Sequence, residues 1–435
     1  MVAGILTGLL VLVLAAVPVA AVLGILSFVL DEITMGGRLT AGLAEIIWDK
    51  SKEFILVAVP MFILLGEIML RAGIATRMYA AVVQWLSWLP GGLMHANIGS
   101  CTIFAASSGS SVATAATVGT VAYPEIQARR YNESLFLGSL AAGGTLGILV
   151  PPSINLILYG LLTDTSVPEL YLAGIFPGLI LSGLFMATII IGCLYNRSWG
   201  GEPVSTTWAA RIKTLPHLLP PIVLFAAVVG SIYAGIATPT EAASIGVVVA
   251  LIIAASFKTL NVKMLLEAFE GTMRTTAMIM LIVFAAIFLN FILGFMGITQ
   301  AMLKFIQEMG LTPIETILLI VVFYLLLGMF METLSMMLTT VPVVFPIVMK
   351  LGVPEFSDVW FGILITLLME AALITPPIGV NLYVVQGIRT RGGKFADVAI
   401  GALPFVAAML AMILMLIFMP YLATWLPNQV YPRPT

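Results

Sequence analysis

Uncharged, apolar stretches of about twenty residues recur along this chain from one end to the other. A helix rises 1.5 Å per residue, so roughly 20 residues cross the ~30 Å hydrocarbon core of a bilayer. No other feature limits the fold so strongly. In hydrocarbon, every backbone N–H and C=O must find its partner within the protein, which leaves helices and closed barrels. The runs are of helical length, so the chain reads as an all-α polytopic membrane protein. A large soluble core is excluded because only 9% of the 435 residues are charged, against about 25% in soluble domains.

The net charge of −2 gives no reason to expect nucleic acid, and the two cysteines, Cys101 and Cys193, form neither a metal-ligand spacing nor a disulfide framework. Val2–Leu30 is uncharged and preceded by no Lys or Arg. It is too long for a signal-peptide core and lacks the basic start, so it reads as a retained first span. Further spans are expected at about 54–70, 134–163, 171–196, 217–236, 239–257, 274–296, 357–388 and 397–426. The polar stretch 31–53, with spaced apolar residues and Trp48, reads as a helix along the membrane surface.

Two apolar regions, 93–127 and 313–350, are too long for single spans: a continuous helix of about 35 residues would measure ~50 Å. Each has a soft centre, Ser107 to Ser111 in the first and Thr333, Ser335, Thr339 and Thr340 in the second. Both read as re-entrant helical hairpins that turn at mid-depth, a geometry tolerated only where protein or a wet cavity surrounds it. With the N-terminus cytoplasmic and both hairpins returning to their own side, thirteen Lys and Arg fall inside, Arg389 and Arg391 among them. Six fall outside: Arg38, Lys50, Lys52, Lys304, Lys350 and Arg433. That bias obeys the positive-inside rule and places the C-terminus in the periplasm.

The element order repeats. Gly73-Ile74 recurs as Gly297-Ile298, Pro151-Pro152 as Pro376-Pro377, and Asn155-Leu156 as Asn381-Leu382, at nearly one offset. Each Pro-Pro follows a soft-centred hairpin, and by the topology the first hairpin opens inward and the second outward. The chain divides as residues 1–196, a connecting segment 197–238, and an inverted second half 239–435. Inverted repeats with broken helices at the midplane describe secondary transporters.

A hairpin tip leaves free carbonyls on the entering helix and free N–H groups on the leaving one. Ser108, Ser110, Ser111 and Thr114 can cap it, and Gly109 permits backbone that other residues resist. The prolines lack N–H groups and disfavour helix before them, so unwinding is expected near Gly147–Ser153 and Ile374–Gly379. Exposed carbonyls with nearby hydroxyls make an uncharged oxygen cage suited to Na⁺, while half-helix N-termini favour a carboxylate. Ser/Thr/Gly stretches also serve helix packing and a lone Pro-Pro is usually a kink; it is the pairing of two hairpins with two breaks that points to binding. Intramembrane Glu67, Glu332 and Glu370 either carry a proton, balance a cation or form structural pairs.

"SSGSSVATAATVG", "GGTLGILVPPSIN", "METLSMMLTTVPVVFPI" and "ALITPPIGVNLYV" together resemble the large membrane subunit of tripartite ATP-independent periplasmic (TRAP) transporters, over essentially the whole chain. The resemblance implies an elevator-type carrier of a bacterial inner membrane and at least two Na⁺ sites. One would use Ser108, Ser110, Gly147, Val150 and Pro151. The other would use Gly328, Thr333, Thr339, Thr366, Met369 and Thr375. Candidates for the organic acid are Ser108, Ser111, Thr114, Ser153, Asn155, Thr340, Pro377 and Asn381. Some sialic-acid members carry an acid where Thr114 stands, which disfavours that substrate. Two partners are also implied: a small four-helix membrane subunit, expected as a separate chain, and a periplasmic substrate-binding protein. The resemblance places the chain in the wider ion-transporter superfamily, and the alternative is a stand-alone dicarboxylate/Na⁺ symporter of that superfamily. An intramembrane serine hydrolase would need a base beside its serine, and His95 and His217 both sit near expected span ends. A channel would need a charge ring or filter repeat, and none is evident.

Overall fold

A computed structural model describes residues 7–8, 11–12, 15, 17–390 and 392–432. Most of the expected first span before residue 17, and Arg391 and Arg433 of the charge tally, lie outside the described residues. Among the described residues the chain is helical, with no strand.

The first part contains α1 (Val19–Met35), the surface helix α2 (Leu43–Ser51), α3 (Ala58–Arg71) and α4 (Ile74–Leu86). A hairpin follows, α5 (Leu93–Ser108) and α6 (Ser111–Ala122), then the short α7 (Glu125–Ala128). Next come the two pieces of a broken helix, α8 (Glu133–Thr145) and α9 (Ile154–Thr163), and the long α10 (Val167–Tyr195). Helices α11 (Trp208–Thr214), α12 (Leu219–Tyr233) and α13 (Pro239–Ser256) lead to the second set. This is α14 (Val262–Phe295), α15 (Ile298–Glu308), the hairpin α16 (Pro313–Gly328) and α17 (Thr333–Met349), the broken helix α18 (Asp358–Ile374) and α19 (Val380–Ile388), then α20 (Phe395–Phe418) and α21 (Tyr421–Val430).

The sequence repeat is thus a repeat of elements: α3–α4–hairpin–broken helix–α10 matches α14–α15–hairpin–broken helix–α20. The joint before each arm is a glycine in the left-handed region, Gly73 at φ 68° and Gly297 at φ 67°, where an L side chain costs roughly 1–2 kcal/mol. Helix α14 begins at Val262 and not near 274, because Asn261 caps it through Met264 N. The stretch expected as one span at 397–426 is two helices, divided at Met419–Pro420.

Among the described residues, six helical stretches are long and apolar enough to cross a membrane: 54–71, 167–195, 208–233, 239–256, 262–295 and 395–418. The hairpin arms α16 and α17 have 16 and 17 residues, about 24–26 Å each and short of a ~30 Å core. Helices α1, α3, α13 and α14 pack as one group, with α12 against α13; α5, α6, α8, α18, α19 and α20 pack as another. In the second group, α8 and α20 approach backbone to backbone through Gly138 and Gly401, the close contact that small residues allow between membrane helices.

Candidate functional site

The first hairpin turns where the sequence is softest. Gly109 ends α5 in the left-handed region at φ 61°, and Ser110 caps α6, its Oγ accepting from Ala113 N. The tip lies on the first break. Ser111 Oγ donates to Thr145 O at 3.0 Å. A Cβ on Gly147 would come within 2.7 Å of the Ser110 carbonyl, and one on Gly109 within 2.9 Å of Pro152 O. Helix α8 ends at Thr145 and α9 starts at Ile154, capped by Ser153, whose Oγ also donates to Ile148 O at 2.5 Å. Both Pro-Pro bonds, 151–152 and 376–377, are cis.

The second hairpin turns earlier than its composition indicates. Its bend is Met329–Glu332, and Glu332 caps α17, accepting from Ser335 N at 3.0 Å and from the Thr333 and Ser335 hydroxyls. Thr339 and Thr340, expected at the tip, lie in the shaft of α17. Their hydroxyls donate to the Ser335 and Met336 carbonyls, and Thr340 also meets the Tyr324 hydroxyl at 2.6 Å. Four residues separate donor from acceptor, so these hydroxyls are satisfied within the helix. The second break is open where the first is closed: residues 146–149 and 151–153 are buried, whereas Pro377 and Ile378 are exposed.

A cavity of about 420 Å³ lies where these pieces meet. Its wall includes the first residues of four helices: Ser111–Ala113 of α6, Ile154 and Asn155 of α9, Thr333 and Leu334 of α17, and Val380 of α19. Ser108–Ser110 and Ile148 contribute from the first tip and break. The side wall is α3 (Ile63, Gly66, Glu67 and Leu70) and α14 (Thr275, Met278 and Ile279). Helix N-termini present unpaired N–H groups and a partial positive charge of about half a unit. Two carboxylates, Glu67 and Glu332, also face the cavity, and among the described residues no Lys or Arg lines it. Glu67 pairs with Arg71 one turn away. Asn155 is 3% exposed and its Nδ2 has no hydrogen-bond partner, so a donor stands ready at the wall.

Of the residues singled out from sequence, Ser108, Ser110, Ser111, Asn155 and Thr333 line this cavity. Gly147, Val150, Pro151 and Ser153 lie behind the first tip, in the break it rests on. Thr114 turns its Oγ1 to Ser108 Oγ and Ser110 O, at 2.9 and 2.7 Å, and is outside the wall. Gly328 packs on Ala372, and the Thr366 and Thr375 hydroxyls bond the Gly362 and Ala371 carbonyls of α18. Met369 is wholly buried in α18. Asn381, unlike its repeat mate Asn155, reaches α8, donating to Ala141 O at 3.2 Å. The wall also holds Gly66 and Thr275, which carry no sequence signal; only packing brings α3 and α14 to the tips. Glu370 lines nothing. It is buried in α18 facing the Leu149 backbone of the first break, and neither carboxyl oxygen has a hydrogen bond of ordinary geometry. His95 is spent on Pro90 O, 2.8 Å away, and the described residues hold no His/Cys/Asp/Glu cluster for a metal.

Broken helices converging on a cavity in a multi-pass helical protein are an arrangement that membrane transporters use. The family described as "Tripartite ATP-independent periplasmic transporter, DctM component" matches residues 6–422. The chain is 30% identical to the C4-dicarboxylate TRAP transporter large permease protein of Vibrio cholerae, over 96% of this chain and 95% of that one. It is 31% identical to the ectoine/5-hydroxyectoine TRAP transporter large permease protein of Ruegeria pomeroyi, over 87% of each. The crystal structure of the Alcanivorax borkumensis YdaH transporter superposes with a TM-score of 0.64, covering 97% of this chain and 99% of that one at 15% identity; the likeness is one of fold. The chain belongs to the TRAP transporter large permease family.

Proposed function

We propose that this permease moves an organic acid across the bacterial inner membrane together with Na⁺, by an elevator motion of the helices that hold the hairpins. The single observation that carries the reading is the cavity into which both tips and both breaks deliver a helix N-terminus. An anion gains from the N-termini of α6, α9 and α19, while Glu332 already caps that of α17 and Arg71 balances Glu67. The Asn155 amide is placed to donate to a substrate carboxylate. Carbonyls at Ser108, Ser110 and Pro152, packed against Gly66, Gly147 and Gly109 in turn, offer an uncharged oxygen set at the first tip, and Glu332 offers charge at the second. Both donor sets suit a hard cation.

In this reading, the α3–α13–α14 group stays in place and the group containing α8 and α20 travels. Residues 1–196 and 239–435 are the inverted halves, 197–238 is the connector, the N-terminus is cytoplasmic and the C-terminus periplasmic. The chain works with a small membrane subunit and takes its substrate from a periplasmic binding protein. Relatives named for C4-dicarboxylate and for ectoine match at 30% and 31%, so likeness alone does not choose the acid. The test is uptake into proteoliposomes holding the permease and both partners. Uptake of the acid carried by the binding protein is expected only with an inward Na⁺ gradient; equal uptake with K⁺ removes the coupling.

A further inference from the structure

A second cavity, of about 300 Å³, lies away from the transport site, between α14, the arm α15 and the shafts of α16 and α17. Leu289, Met302, Phe305, Phe323, Val344 and Ile347 are among its lining residues. Thr339 and Thr340 also face it, but their hydroxyls are satisfied within α17 and by Tyr324, which leaves their methyl groups to the wall. Such a space offers water no partners.

The equivalent place in the first half is filled. On α4, Ile74, Met78, Tyr79 and Val82 are each at most 4% exposed, and the helix packs on both α5 and α6. On α15, Phe305 is 61% exposed. The arm is amphipathic. Met302 and Phe305 face the cavity, while Lys304 and Glu308 pair at 3.7 Å with side chains 79% and 64% exposed. A helix of that pattern lies at the headgroup level of a bilayer, with its apolar face toward the acyl chains. The cavity beneath it is therefore at acyl-chain depth.

We propose that this cavity binds an acyl chain of a membrane phospholipid, which props α15 away from the second hairpin. The proposal rests on the multi-pass fold and not on which solute is carried. Because α17 forms this wall along its shaft and the transport site at its tip, the lipid contacts the same helix that presents Glu332 and Thr333.

The test uses the full chain in vesicles containing a phosphatidylglycerol with a diazirine midway along one acyl chain, with and without the small membrane subunit. After illumination, labelled residues are mapped by mass spectrometry. Label is expected on the inward residues Leu289, Met302, Val344 and Ile347. The cavity-filling Val343→Phe should lower it about tenfold, an occupancy change of ~1.4 kcal/mol. Outward residues of α16 such as Val322 and Leu326 report ordinary surrounding lipid and should be labelled equally in both proteins. Label confined to those outward residues overturns the proposal. So does inward label that vanishes when the small subunit is present, which would assign the cavity to side chains of that subunit. The wild-type map stands by itself if Val343→Phe does not fold.

Discussion

The two hairpins share a plan and differ in chemistry. The first turns on Ser108-Gly109-Ser110, all uncharged, and presses on a buried break. The second turns on Met329–Glu332, is capped by a carboxylate, and faces a break whose Pro377 and Ile378 are exposed. The arm before the first hairpin is sealed against it, and the arm before the second packs on α17 but leaves a cavity beneath. A repeat of elements therefore fixes where helices start and stop, while the side chains give each tip its own chemistry. The first is an uncharged tip packed closely on its break, and the second a charged tip beside an open one.

The largest effect should come from filling the cradle. Gly147→Ala places a methyl 2.7 Å from Ser110 and Ser111 backbone atoms, which cannot give way as a flexible side chain could. Uptake should fall more than about tenfold, the consequence of ~1.4 kcal/mol or more of misfit. Ile378→Ala, at the exposed break, should stay within about twofold, or ~0.4 kcal/mol. Similar initial rates for the two variants would mean that the breaks are equivalent and the contrast is wrong.

A middle-sized effect tests whether the halves are clamped together. Arg389, at the end of α19, reaches Glu133 at the start of α8, with 2.8 Å from Nη2 to Oε1, and Asp397 in the first turn of α20 at 3.3 Å. Its side chain is 3% exposed. Burial works against its charge, but the hydrogen bonds it donates to Glu133 and Asp397, with their negative charge, prevail and hold the guanidinium pKa above its ordinary value. Arg389→Ala should cost roughly 1–3 kcal/mol, below the 3–5 kcal/mol of a fully buried pair because the two carboxylates remain 39% and 40% exposed. Arg129→Ala, which breaks the half-exposed, single-turn pair with Glu125, should cost about 0.5 kcal/mol. Equal losses of thermal stability in detergent would show that Arg389 is no clamp.

The smallest contrast separates tip from shaft in the second hairpin. Glu332→Gln should raise the Na⁺ concentration for half-maximal uptake about tenfold, consistent with losing a charged contact worth ~1.5 kcal/mol. Thr340→Val should leave it unchanged and cost only about 1 kcal/mol of stability, since its hydroxyl serves Met336 O and Tyr324. A Na⁺ dependence altered more by Thr340→Val than by Glu332→Gln would move the cation site into the shaft.

Much of this was readable from the residues. Length and apolarity required helices, Ser107 to Ser111 marked the first tip, the proline pairs marked both breaks, and Gly73 with Gly297 announced the arms. The second tip was misplaced because its threonines, polar by composition, bond back to their own helix. Composition shows a hydroxyl but not whom it serves. Asn155 and Asn381 occupy matching places in the repeat, yet one faces the cavity and the other α8.

The sequence by itself determined the helices, the first tip and the two proline breaks, since a backbone in hydrocarbon has few ways to satisfy its N–H and C=O groups and glycine and proline are the residues that interrupt them there. Tertiary structure alone decided which N-termini share a cavity, that Glu67 and Thr275 join them, and that one arm seals while the other leaves a gap. Those are contacts between helices far apart in the chain, and apolar faces match many partners about equally well, so only the packed whole selects among them.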